Sequence, residues 1–214
     1  MKHVKVVVTT AIIMMFLPQW VAWSESDATV QKCFATNNTP DEDIRFCSGA
    51  INSNRLSKEN LSAAFYNRGM AYSQRRMYDH AIRDYTEVIR LNPIDYQAFT
   101  NRGIAYDHLR DYDQAIKDYT EAIRLRPTNY VALINRGNAY RAKGGYDKAM
   151  QDYNEAIRLN PREPAVFGNR AIARLYQGRN AEAESDLKKA YELDPTVRKV
   201  FEPLAAAART QRSK

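Results

Sequence analysis

The residues of this 214-residue chain whose types could do chemistry are few, and they do not converge. His80 and His108 have no second metal-ligand type beside them at a spacing that recurs in metal sites. Gly144-Gly145 lacks the lysine and hydroxyl residue that a phosphate loop requires after its last glycine. No nucleophile can be paired with a base, so the expectation is no enzyme, no cofactor and no metal. Cys33 and Cys47 are the only two cysteines. Two cysteines in an exported chain suggest a disulfide; the alternative, a redox pair, lacks the Cys-x-x-Cys spacing. What recurs is Asn-Arg: Asn67-Arg68, Asn101-Arg102, Asn135-Arg136 and Asn169-Arg170. An amide offers both a donor and an acceptor, which is what the main chain of a bound peptide needs.

The ladder has a fixed period because its surroundings repeat. Ser62 to Asp95, Tyr96 to Asn129 and Tyr130 to Glu163 are three near-copies of one thirty-four-residue stretch, and Pro164 to Val197 is a looser fourth. Together they make about two thirds of the chain, and a period of this length marks stacked helical hairpins. In the second copy the recurrent places are Phe99, Gly103, Tyr106, Ala115, Tyr119, Ala122 and Pro127. The fourth keeps Phe167, Ala183, Ala190 and Pro195 but has Ala171 and Arg174 where glycine and tyrosine should stand. The small residues Gly103, Ala115 and Ala122 are expected to let two helices approach, while Phe99, Tyr106 and Tyr119 fill the volume around them. Proline ends the second helix by removing a donor and restricting the residue before it.

On these residues the chain resembles the tetratricopeptide repeat family. The resemblance implies an all-α fold, a right-handed α-solenoid of stacked antiparallel helix hairpins, with repeats at 62–95, 96–129, 130–163 and 164–197. It also implies a protein-binding function in which the first helices line a concave face. Asparagines in that part of the helix can hold an extended peptide, which makes Asn67, Asn101, Asn135 and Asn169 the candidate partner-binding rungs. Tyr66, Met70, Thr100, Ile104, Ile134, Asn138 and Ile172 are on the same helix face. The lysines with which some family members grip a C-terminal carboxylate are missing. Each Arg of the ladder is expected to pair with Asp84, Asp118, Asp152 or Asp186, because a buried arginine needs a partner.

The ends of the chain differ from the array. Lys2 and Lys5 precede the apolar run Val6 to Leu17, which Pro18 ends, so residues 1–24 read as a secretory signal peptide cut before Glu25. An uncleaved anchor is the alternative, and a spanning helix wants about 20 apolar residues. Export implies a periplasmic or secreted protein, with the membrane touched only through an uncleaved signal. Residues 25–61 read as a degenerate N-terminal hairpin with a disulfide. Asp43 to Ile51 lines up with Ala115 to Ile123, which puts Cys47 where Tyr119 falls, with Thr39 or Asp41 as cap. Residues 198–214 read as a C-terminal capping helix, which such arrays need, with Pro203 as a place to bend and a frayed basic tail from Arg209.

The formal charge of +7 falls to +5 without Lys2 and Lys5. Most charge recurs within repeats as helix-face pairs such as Glu87 and Arg90. Nucleic acid would need a concentrated basic patch, so it is not favoured. The expected partner is another protein or peptide, with no small-molecule substrate. A scaffold or assembly factor using its convex or end surfaces is the alternative to groove binding, and a nucleic-acid binder a distant third.

Overall fold

The computed structural model describes residues 28–212, and the signal-peptide reading of Met1 to Ser24 lies outside them. Among the described residues every element is helical. The chain divides into two compact units at Leu109/Arg110.

The first unit holds α1 (Ala28–Cys33), α2 (Pro40–Asn52), α3 (Lys58–Gln74), α4 (Tyr78–Leu91) and α5 (Tyr96–His108), each packed on the next. The second holds α6 (Tyr112–Leu125), α7 (Tyr130–Ala142), α8 (Tyr146–Leu159), α9 (Pro164–Tyr176) and α10 (Asn180–Leu193). A single 3-10 turn, Pro195–Val197, then leads into α11 (Arg198–Arg212). Helices α6 to α10 also pack in chain order.

The turns follow from residue type. Asp95, Asn129 and Glu163 come two residues after Pro93, Pro127 and Pro161, and their side-chain oxygens accept from first-turn N–H groups of α5, α7 and α9. Those donors have no partner within the helix, which is why an acidic or amide side chain stands there. Between the helices of a hairpin one residue takes the left-handed conformation: Arg76, Arg110, Gly144 and Gly178, with φ from 58° to 82°.

The hairpin of α3 and α4 and the hairpin of α7 and α8 each close on a tyrosine. Tyr85, Tyr119 and Tyr153 are fully buried. A Cβ on Gly69 would stand 3.0 Å from the Tyr85 ring, and one on Gly137 would stand 2.6 Å from the Tyr153 ring. At these two places the glycine is small because the second-helix tyrosine ring meets it. A larger residue would overpack the contact.

Arg68, Arg136 and Arg170 of the ladder each clamp three helices at once. Arg136 donates from Nε and Nη2 to the two carboxylate oxygens of Asp152 at 2.9 and 2.7 Å, and from Nη1 to Thr120 Oγ1 at 3.1 Å. Arg170 does the same with Asp186 and Asn154, at 2.9, 2.7 and 2.7 Å. Arg68 binds Asp84 at 2.8 and 2.7 Å and reaches back to Ser48 Oγ at 3.0 Å. The pairing expected of Arg with Asp84, Asp152 and Asp186 is present, and the planar guanidinium explains why Arg alone can serve both directions.

Ser48 thus does for α2 what Thr120 does for α6, in keeping with the alignment of Cys47 with Tyr119. Cys33 and Cys47 form a disulfide. Both cysteines are fully buried beside Val30, Ala50 and Ala64. Thr39 is the cap of α2, in a capping box with Glu42. At the other end α11 runs to Arg212 and through Pro203. Arg209 pairs with Glu184, and Tyr176 donates its hydroxyl to Gln211 at 3.2 Å.

Candidate functional site

The four asparagines do not present alike. Asn67 is 1% exposed, and its Nδ2 donates to the carbonyl of Cys33 at 3.3 Å. Cys33 is the last residue of α1, so this amide holds a main-chain carbonyl at a helix end. Asn101 is half-buried and donates from Nδ2 to the hydroxyl of Tyr66 at 2.8 Å. Burial, with Asp95 nearby, pushes the Tyr66 hydroxyl up to about 12 although the Asn101 bond works against the shift, so Tyr66 stays a neutral acceptor at ordinary pH. Asn135 and Asn169 are half-buried on α7 and α9.

The residues around the rungs divide in the same way. In the first unit Tyr66 and Met70 are buried, with Tyr85, in the core beneath α3, and Thr100 is buried with its hydroxyl turned back to the carbonyl of Tyr96 at 2.7 Å. Ile104 is half-buried and lines a cleft of about 220 Å³ with Met70, Ser73, Asn101 and His108. His108 stacks on Tyr78 at 4.5 Å between ring centroids, a packing role. In the second unit Ile134 is at the edge of burial, and Asn138 is half-buried and accepts from the hydroxyl of Tyr153 at 2.8 Å. That bond satisfies the polar tip of an otherwise fully buried ring. Ile172 is 2% exposed, in one cluster with Leu175, Phe201, Ala205 and Ala208.

Cover of the fourth-repeat wall by α11 is what sequence reasoning missed. A signal for it existed. Phe201, Ala205 and Ala207 stand one period after Phe167, Ala171 and Ala173, so α11 is spelled as a further first helix. Among the described residues no group of three or more His, Cys, Asp or Glu side chains is arranged to hold a metal ion. No helix among them is long and apolar enough to cross a membrane. What the surfaces offer is half-buried amides, hydroxyls and apolar side chains, which suits recognition of another polypeptide.

Sequence models described as Tetratricopeptide repeat match residues 62–95, 96–129, 118–151 and 165–197, and one described as TPR repeat matches 137–178. No curated protein matches the chain in sequence. Among solved structures, a crystal structure of MamA is 22% identical, covers 81% of this chain and 98% of its own, and superposes with a TM-score of 0.69. A second crystal structure of MamA is 21% identical over 85% and 95%, with a TM-score of 0.68. MamA 41-end from Desulfovibrio magneticus RS-1 is 18% identical over 84% and 97%, with a TM-score of 0.70. At these identities the likeness establishes the α-solenoid class of the fold.

Proposed function

This chain belongs to the tetratricopeptide repeat family, and we propose that it is an exported, non-enzymatic interaction module that holds an extended segment or loop of a partner protein on the inner face of its first helices. Repeats of this family bind other proteins, and the finer reading is the placement of the ligand along the amide ladder.

One observation carries that placement. Asn67, the first rung, already grips a main-chain carbonyl, that of Cys33. Asn135 and Asn169 occupy the same place in their repeats and are half-buried, so each is positioned to do for a ligand what Asn67 does for α1. The apolar run Val6 to Leu17 with Lys2 and Lys5 before it, and a disulfide between Cys33 and Cys47, support export to an oxidising compartment.

The test is capture from that compartment with the wild-type chain and with Asn135→Ala/Asn169→Ala. Alanine is a good helix former, so the helices should tolerate it. The expected result is a protein held by the wild type and lost from the variant, with the melting temperature little changed. Leaving a buried amide or carbonyl of the ligand unmatched costs about 1 to 3 kcal/mol per group, roughly fivefold to a hundredfold in affinity. Retention of the same partner by the variant would move the binding surface off this face. An intact Met1 on the purified protein would remove the export half of the reading.

A further inference from the structure

In α3, α5, α7 and α9 the residue directly before the first-helix aromatic or leucine (Phe65, Phe99, Leu133 and Phe167) is hidden: Ala64, Ala98, Ala132 and Val166 are all fully buried. Helices α5, α7 and α9 each pack on the second helix of the preceding hairpin as well as within their own unit. The matching residue of α11 is Val200, which is 57% exposed, and Leu204, one turn on, is 43% exposed. Helix α11 lies chiefly on α9 and meets α10 through fewer residues, Arg209 on Glu184 and Arg198 over the Tyr191 ring among them.

The roll of α11 follows from its stripe. Phe201, Ala205 and Ala208 are buried against the wall of α9 made by Gly168, Ile172 and Leu175. A Cβ on Gly168 would come within 2.3 Å of the Phe201 ring, so the close approach needs glycine. Phe201 and Ala205 correspond to Leu133 and Gly137 of α7, and Gly137 meets Tyr153 of its own second helix. The face that closes a hairpin elsewhere is spent here on α9, and the face that would lean on α10 is left bare.

We propose that the wall Gly168, Ile172 and Leu175 is a docking surface for a partner's amphipathic helix with a large-x3-small-x2-small stripe. In this proposal α11 is a strap that fills the wall in cis and swings onto α10 when the partner helix arrives. The occupant is named by the strap itself, whose Phe201, Ala205 and Ala208 show what the wall accepts. Helix-in-groove recognition reads such spaced anchors. The swing is favoured by burial of Val200 and Leu204 in the seat that α5, α7 and α9 use, which offsets the loss of the wall contacts. The strap lowers the apparent affinity by the fraction of time it fills the wall. This stands on α9, α10 and α11 and does not depend on the amide rungs.

The probe is a labelled peptide with the sequence of residues 197–212, added to the full chain. The variant Phe201→Ala in the chain weakens the strap but leaves the wall, and should bind the peptide at least tenfold more tightly than the wild type. Gly168→Ala added to it should abolish that binding. A peptide carrying the same Phe201→Ala change should not bind. In a chain with Val200→Cys, saturating peptide should slow thiol labelling severalfold as the strap takes its seat on α10. Equal affinity of the wild type and Phe201→Ala, or binding that survives Gly168→Ala, overturns the docking surface. Labelling that stays fast or quickens overturns the second seat. The Asn135→Ala/Asn169→Ala variant should bind the peptide as its parent does, which separates failure here from failure of the ladder.

Discussion

The hairpin of α7 and α8 and the hairpin of α1 and α2 solve the same problem by different chemistry. The first has Gly137 under the Tyr153 ring, Arg136 clamped on Asp152 and Thr120, and Gly144 at the turn. The second has neither the glycine–tyrosine contact nor the arginine clamp of its own. In their place stand a disulfide from Cys33 to Cys47, a capping box of Thr39 and Glu42, and Asn38 bridging the Lys32 carbonyl and the Asp43 carboxylate at 2.5 and 2.8 Å. A short helix of six residues cannot bury enough to hold itself, so a covalent closure substitutes for packing. Its neighbour then uses it: Arg68 and Asn67 of α3 bind Ser48 and Cys33.

The largest break in this comparison should come from the regular hairpin. Asp152→Ala leaves the guanidinium of Arg136, whose side chain is 18% exposed, without its carboxylate, and should cost about 3 kcal/mol in urea unfolding. Conservation of the wild-type midpoint would mean that Thr120 and water suffice. Next, Cys33→Ala/Cys47→Ala should cost about 3 kcal/mol on the chain-entropy account of a loop of this size, felt first as faster amide exchange in α1 and α2. Exchange that quickens equally in α4 and α5 would show that the N-terminal hairpin is not the separate staple described.

A smaller change should stabilise. Arg76 and Arg110 take the left-handed conformation where Gly144 and Gly178 stand in the later turns. A side chain with a Cβ pays about 1 to 2 kcal/mol there, so Arg76→Gly should raise stability by about 1 kcal/mol; an unchanged or lower melting temperature would count against turn strain. The smallest effect is in pH. The Thr39 main-chain N–H, and then its hydroxyl, hold the Glu42 carboxyl below its ordinary value. A depressed carboxyl contributes stability that is present above the unfolded value and lost as pH falls through the folded one. An NMR titration of Glu42 should find that lowered value, and Thr39→Ala, which removes the hydroxyl but keeps the main-chain N–H, should raise it only part of the way back.

Periodicity made most of this legible, because a thirty-four-residue spacing of glycine, tyrosine, alanine and proline can bury its apolar faces only as stacked hairpins. The pairing of Arg68, Arg136 and Arg170 with an Asp of the same period and the bond between the two cysteines could be read in the same way, from composition and spacing. Three-dimensional packing decided what equal spelling could not. Asn67 and Asn135 are the same residue in the same repeat position, yet the first is spent on Cys33 because a degenerate hairpin lies in front of it. Val200 and Val166 are likewise equivalent in register, yet one is bare and the other buried. Sequence determines which face of a helix is apolar. Which neighbour covers that face depends on close approach, and here a missing Cβ at Gly168 let the Phe201 ring settle on α9.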